Sequence, residues 1–391
     1  MKLAAAIAIA GTATTVSADP LRLRADALAT TASPAGLLVL EADGAAARGG
    51  LSAEAVVWIA GARTPGEDTS GDVLVIAVDA TSKNARQRAR FGRFVSLLGA
   101  LRPVHVDGAT LRLRLPREFD VEGVAGMPVV ASGLVTGRSW DWIAGGRIAR
   151  RLGDYGSVGV AYAQRRDAGQ LMTEEVGADF GAAIDKRHDI GTRAAYDLAN
   201  PGLAEVGVSA SRRGKAVRTE VYARHRASSH LLPATSLFSV LGDVPSQRVG
   251  TVVTWRAAPR LDLIADVAAR RIDDDFAEEL VGRARLRLDD RGTSAVTGEL
   301  RRSGGDTEAW SGARVAARIA LPHALALATE LELVIPDQDR GTGAVWPWSL
   351  VALTWERASW SAAIAVEASA SPEYRYRVDA LFQLSRRWSV K

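Results

Sequence analysis

Tyr374-Arg375-Tyr376-Arg377-Val378-Asp379-Ala380-Leu381-Phe382-Gln383-Leu384-Ser385 is the stretch on which the fold turns. Tyr374, Tyr376, Val378, Ala380, Phe382 and Leu384 occupy alternate positions; Glu373, Arg375, Arg377, Asp379, Gln383 and Ser385 occupy the others, and only Leu381 is out of step. Successive side chains of an extended chain point to opposite sides, so this period of two predicts a strand with one apolar and one ionic face. A helix would repeat its apolar residues every three or four positions, and that period is scarce in this chain.

The alternation recurs upstream. Val176, Ala178, Phe180, Ala182 and Ile184 oppose Glu175 and Asp179; Val217, Thr219, Val221 and Ala223 oppose Arg218, Glu220, Tyr222 and Arg224; Leu280, Ala284, Leu286 and Leu288 oppose Arg283, Arg285 and Arg287. These runs reach roughly ten residues or more, whereas strands of soluble proteins average about 5 to 6 and a tilted bilayer crossing takes about 9 to 11. A backbone in lipid must pair every amide, which strands achieve only in a closed sheet. The expected fold class is therefore all-β: a transmembrane antiparallel up-and-down β-barrel of about 18 to 22 strands.

Tight turns at Leu152–Gly156, Asp185–Asp189, Arg212–Lys215, Ala257–Arg260, Asp289–Gly292 and Leu321–His323 alternate with longer links at Asp167–Thr173, His225–Gln247, Asp273–Glu278, Ser303–Ala309 and Pro336–Val345. Short periplasmic turns and longer outer loops are the barrel pattern, and an even strand count leaves both termini on the short-turn side. The link Ala42–Ser52 reads as too long for its side and Ala199–Gly202 as too short, which leaves the strand count open near both.

The chain has 391 residues, 47% of them hydrophobic and 24% charged, a composition that suits an ordered fold. With no cysteine, disulfides, thiolate metal sites and cysteine nucleophiles are excluded. Lys+Arg of 49 against Asp+Glu of 45 leaves +4, interleaved rather than in basic blocks, which speaks against nucleic acid as a partner. Lys2, the apolar run Leu3–Ala10 and the small residues Val16-Ser17-Ala18 predict an export signal over residues 1–18, followed by one barrel over 19–391 with no plug domain ahead of it. No stretch approaches the ~18 apolar residues of a membrane helix.

Tryptophan collects where a ring is half wetted, at membrane interfaces. Trp58, Trp140, Trp142, Trp310, Trp346 and Trp348 flank long links, and Trp255, Trp355, Trp360 and Trp388 flank short ones or the C-terminus. Two girdles are expected, with Trp140, Trp142, Trp255, Trp310, Trp355, Trp360 and Trp388 as interface aromatics; the alternative is a set of core tryptophans in a soluble β-protein. Trp346 and Trp355 have opposite parity on one strand, so both cannot face lipid without a bulge.

Long alternating strands, links of two lengths, aromatic strand ends and an apolar-aromatic last strand together resemble the porin-like outer-membrane β-barrels of Gram-negative bacteria. The resemblance spans the mature chain and implies an outer-membrane location, contact with outer-membrane lipid, small solutes as cargo and insertion by the barrel-assembly machinery. That machinery reads a last strand with a terminal aromatic, which Phe382, Leu384 and Trp388 fit, although the chain continues through Ser389 and Val390 to Lys391. Gly92-Arg93-Phe94 with His105-Val106-Asp107-Gly108-Ala109 is similar to a hairpin of uncharacterised porin-like proteins to which no activity is attached.

Arg22 and Arg24, Arg86, Arg88 and Arg90, Arg112 and Arg114, Arg283, Arg285 and Arg287, and Arg375 and Arg377 each form a row on one face of a strand. An Arg facing lipid at the midplane costs about 2 to 4 kcal/mol, so these rows must face the lumen. There they would favour anionic solutes, which a guanidinium grips in bidentate fashion. Alternatively they pair across strands with Glu175, Asp179, Glu220, Asp262, Asp266, Glu299, Glu330, Glu332, Glu367 and Asp379 and knit the wall. Leu237, Val240, Leu241 and Val244 have helical spacing inside the link His225–Gln247, after Thr235 and Ser236, which suit a helix cap. A loop this apolar is expected either to fold into the lumen as a constriction or to lie as a helix on the rim.

Catalytic signals are weak. His105, His188, His225, His230 and His323 are scattered, and no Gly-x-Ser-x-Gly elbow, phosphate loop or dinucleotide fingerprint is present. His225 and His230 flank Ser228 and Ser229, so a barrel hydrolase is retained as a minor alternative, and Asp273-Asp274-Asp275 reads as a solvated loop or a surface cation site. No cofactor and no enzyme activity are expected. The function expected is diffusion of small, preferentially anionic solutes through an Arg-lined lumen; a closed structural or surface-interaction barrel and a soluble secreted β-protein are the alternatives.

Overall fold

The computed structural model describes residues 21–30, 34–45, 50–62, 70–129, 141–227, 245–272, 275–305, 309–337, 345–370 and 376–388. Its strands are β1 (Leu21–Thr30), β2 (Pro34–Ala45), β3 (Leu51–Ala62), β4 (Ser70–Thr81), β5 (Gln87–Ser96), β6 (Val104–Arg114), β7 (Phe119–Pro128), β8 (Trp142–Arg151), β9 (Gly156–Asp167), β10 (Gln170–Ala183), β11 (His188–Asp197), β12 (Gly202–Arg213), β13 (Val217–Arg226), β14 (Ser246–Ala258), β15 (Leu261–Ile272), β16 (Asp275–Arg287), β17 (Ala295–Ser303), β18 (Trp310–Leu321), β19 (Leu325–Pro336), β20 (Trp346–Arg357), β21 (Trp360–Ser369) and β22 (Arg377–Trp388). They form one 22-stranded sheet in which each strand pairs antiparallel with its neighbours in sequence. β1 pairs with both β2 and β22, so the sheet closes on itself.

The two faces follow the sequence period. On β9, Val158, Val160 and Tyr162 stand exposed, whereas Gly159 and Ala161 between them are buried. Continued around the wall, the exposed face carries Ile76, Val78, Phe91, Ile148, Val208, Val249, Val267, Leu300, Val315, Val351 and Ile364, an apolar belt. The other face buries the charged Asp79, Glu175, Glu205, Glu299 and Asp379. The ionic face lines the interior, because the same charges turned to lipid would each cost several kcal/mol near the midplane. Leu381 stands opposite Ala365 on that inward register, which accounts for its break in the pattern.

Both sheet ends of the chain, Leu21 and Trp388, pair with one another at one rim. That rim carries the tight connections, such as β8 to β9, β12 to β13, β14 to β15 and β20 to β21, and the opposite rim carries 129–141, 227–245, 337–345 and 370–376. His323 and Ala324 adopt φ of 63° and 60°, the paired left-handed values of a type I′ hairpin turn whose twist matches the flanking strands.

Several expectations shift. The links Asp167–Thr173 and Asp273–Glu278 are shorter than read, because β10 already begins at Gln170 and β16 at Asp275. β2 runs to Ala45 and β3 starts at Leu51, which shortens the Ala42–Ser52 link, and Ala199–Gly202 remains a short connection on the long-link rim. Arg86 belongs to the turn before β5 rather than to a strand row; its amide donates to Asn84 Oδ1 at 3.0 Å. His225 and Arg226 complete β13 and Ser246 and Gln247 open β14. Leu237, Val240, Leu241 and Val244, together with Trp140, Arg375 and residues 1–18, lie outside the described residues.

Trp255, Trp355, Trp360 and Trp388 take outward register positions on the short-turn rim. Arg386 lies between two of them, 4.7 Å from the Trp360 ring and 4.9 Å from that of Trp388. Trp142 is outward at the opposite rim. Trp310 is a correction: opposite Ser303, it shares the inward register of Glu299 and Arg301 and so does not belong to a lipid-facing girdle. Trp348 is inward as well, donating from Nε1 to Glu367 Oε1 at 2.6 Å.

Candidate functional site: a loop seated in the lumen

Leu97 to Pro103, the link between β5 and β6, turns into the barrel instead of standing on its rim. Leu98, Ala100 and Leu101 are buried with Ala77, Phe94, Val106, Val124, Ile143, Ala161 and Ala195, all on or against the inward face. Apolar side chains gain about 25 cal/mol per Å² of area removed from water, which favours burying Leu98, Ala100 and Leu101 in this way. The wall beneath is made of small residues. A Cβ at Gly145 on β8 would lie 2.9 Å from Leu98 Cδ1, and one at Gly177 on β10 would lie 2.8 Å from Leu101 Cδ2.

Polar contacts fix the loop in place. Arg102 Nε donates to Glu175 Oε1 on β10 at 2.6 Å, with both side chains nearly buried. Leu101 N donates to Leu98 O at 3.1 Å and closes the turn. Gly99, with φ of 58°, sits against the pair formed by Arg147 on β8 and Asp179 on β10 (Arg147 Nε to Asp179 Oδ2, 3.0 Å), where a Cβ would meet the Asp179 carboxylate. Among the described residues, the apolar link that turns inward is thus Leu97–Pro103. Its sequence signal, Leu97-Leu98-Gly99-Ala100-Leu101 between two strands, is as apolar as the stretch around Leu237 but much shorter.

Around this loop the Arg rows are largely matched by acids. Arg88 pairs with Asp79 (2.8 Å), Arg90 with Glu54, Arg112 with Asp120 (2.6 Å), Arg283 with Glu299, Arg287 with Asp262 (2.8 Å) and Arg377 with Asp379 (2.6 Å). Arg314 with Glu330 and Arg248 with Glu279 and Asp266 continue the network. Six inward guanidiniums make no side-chain hydrogen bond or ion pair among the described residues: Arg114, Arg224, Arg285 and Arg318 within the wall, and Arg151 and Arg387 at the short-turn rim; neither row position nor parity distinguishes them in the sequence. No group of three or more His, Cys, Asp or Glu suited to a metal ion occurs among the described residues.

Outside the wall, the turn after β10 is organised by Asp185. It accepts from the amides of Arg187 (2.6 Å) and His188 (2.8 Å) and from His188 Nδ1 (2.9 Å). These donors, the His188 side chain first, hold its carboxyl down at about 2. Beyond β19, the Arg302 guanidinium likewise holds the Asp337 carboxyl below its ordinary range.

No protein-family model matches the chain, and no curated protein does. Among solved structures it is similar to the siderophore receptor PirA from Pseudomonas aeruginosa, with TM-score 0.57 and 10% identity over 94% of this chain and 80% of that one. It is also similar to the translocation pore of the P pilus usher PapC, with TM-score 0.53 and 10% identity over 95% of this chain and 99% of that one. The fold is that of the outer-membrane β-barrels. At this identity the likeness concerns the wall and not its contents. The loop and its ion pairs are features of this chain's own residues.

Proposed function

We propose that the protein is a porin-like channel of the bacterial outer membrane that passes small hydrophilic solutes by diffusion. The observation that carries this reading is a closed 22-stranded wall, apolar outside and ionic inside, with one short link folded within it among the described residues. A barrel of this strand number encloses more width than its own side chains fill, so a lumen remains around a loop of this size. The paired network offers solutes a polar but nearly neutral wall. A preference for anions rests on Arg114, Arg224, Arg285 and Arg318, which make no ion pair among the described residues. Residues 1–18 would direct export.

The test is conductance of the refolded chain in a planar bilayer, with the reversal potential measured across a salt gradient. Steady channels with a modest anion preference are the expected result. Absence of current from demonstrably inserted protein would favour a closed structural barrel.

A further inference from the structure

The last three strands put two arginines on the outer side of the wall. Arg357 stands opposite Trp360, and Trp360 opposite Arg386, so the three share one face across β20, β21 and β22. That face carries the exposed Val351, Leu353, Ile364 and Phe382, whereas Glu356, Ser361 and Ser385 take the inward one. Arg357 ends β20 and Arg386 lies two residues from the end of β22, so both sit at the short-turn rim.

Neither guanidinium has an anion. The Arg386 Cζ lies 4.7 Å from the Trp360 ring and 4.9 Å from that of Trp388, and its Nε is enclosed without a hydrogen-bond partner. Arg357 is exposed and, like Arg386, makes no side-chain hydrogen bond or ion pair among the described residues. Two further arginines repeat the arrangement at the same rim. Arg150 on β8 and Arg212 on β12 are outward, opposite Val158 and Thr219, and equally without an ion pair; Arg150 lies 5.4 Å from the Phe119 ring. Among the described residues no Asp or Glu takes an outward strand position within three residues of this rim, whereas Glu174 and Glu278 do so toward the opposite one. The β20–β22 surface is the place where two of these cations flank one ring.

Depth and charge define what fits. An outward arginine costs about 2 to 4 kcal/mol at the midplane and little near the interface, where tryptophan rings also collect. The anion met at that depth on the outside of a barrel is a lipid phosphate, and the planar guanidinium fork matches two phosphate oxygens. From Trp360 and Arg386 toward mid-wall run Leu353, Ile364 and Phe382 in register, an apolar track for acyl chains. Two cations with no acid beside them on this face repel the ammonium of a zwitterionic head, which selects a head with net negative charge.

We propose that the outward surface of Arg357, Trp360, Arg386 and Trp388 binds the phosphate of a phospholipid with a net negative head, its chains lying along Leu353, Ile364 and Phe382. This rests on the reading of the wall as membrane-embedded. The test uses the full mature chain in lipid nanodiscs with two photolabels, phosphatidylglycerol and phosphatidylcholine, each carrying a diazirine at the same acyl position close to the glycerol. Mapped by mass spectrometry, the phosphatidylglycerol label is expected to concentrate on residues 355–360 and 384–388, and the phosphatidylcholine label to spread around the rim. Arg386→Gln should lower that enrichment about fivefold, the worth of about 1 kcal/mol. Arg357→Gln should do the same from an exposed strand end, clear of the last strand and its part in insertion. Excess glycerol 3-phosphate should leave the label in place; displacement by it would assign the site to a soluble phosphate and overturn the lipid. Equal labelling by both heads, or an enrichment that neither substitution lowers, would overturn the proposal as well. Conductance of the same preparation keeps the two readings apart. A conducting barrel that labels uniformly defeats only the lipid site, and a silent barrel that labels β20–β22 defeats only the channel.

Discussion

Arg102 on the inward loop and Glu175 on β10 form an ion pair across the lumen side of the wall, 2.6 Å from Nε to Oε1, with Arg102 12% and Glu175 4% exposed. Removing one member of a buried pair strands the other and costs about 3 to 5 kcal/mol, whereas exchanging both for apolar residues of similar size is often neutral. Arg102→Met alone and Glu175→Met alone should therefore release the loop, with larger and noisier single-channel conductance. The double variant should return toward the native current. Native conductance in both single variants would mean that the pair does not hold the loop.

Gly99 provides a second handle on the same loop. Its φ of 58° costs a residue with a Cβ about 1 to 3 kcal/mol, and the added carbon would also press on Asp179 beneath. Gly99→Val is expected to unseat Leu97–Pro103 while leaving the closed sheet intact. Hydrogen–deuterium exchange should rise in that link alone, with β8 and β10 still protected.

The pairing pattern predicts which arginines govern selectivity. Arg285→Glu and Arg318→Glu change the wall by two charges each without leaving an orphaned partner, and should move the reversal potential toward cations. Arg112→Gln, by contrast, removes a cation that Asp120 already cancels and should act mainly through the freed carboxylate, with a smaller shift. Equal shifts from all three variants would show that pairing does not mute the Arg rows.

The strand period is readable because it is local: each residue's face follows from its parity alone, as at Val217 to Arg224. Which Arg stays unpaired is not local. Arg283 and Arg285 sit two positions apart with the same parity; β17 sets Glu299 against Arg283, whereas the carboxylate that β15 sets against Arg285, Asp262, is taken by Arg287. The inward loop was missed for a related reason. Leu98 and Leu101 gain their burial against Gly145 and Gly177, which lie distant in sequence and carry no pattern of their own. Trp310 was misassigned because closeness to a strand end says nothing about parity.

Asp185 gives a pH prediction at the short-turn rim. Its folded carboxyl is depressed to about 2 by the donors of its own turn, from an ordinary value near 4. A depressed carboxylate contributes stability that is fully present above the unfolded value and is lost as pH falls through the folded one. The turn between β10 and β11 should therefore hold from neutral pH to about 4 and loosen between about 4 and 2. Because the group is fully exposed and the adjoining strands are paired, the loss should be confined to this turn. In carboxyl-observed NMR of the refolded protein, the Asp185 resonance should titrate near 2, with the amides of Arg187 and His188 shifting in step. Asp185→Asn should remove the titration while keeping native conductance, since the turn lies outside the lumen. A midpoint near 4 would show that those donors do not bind the carboxylate in solution.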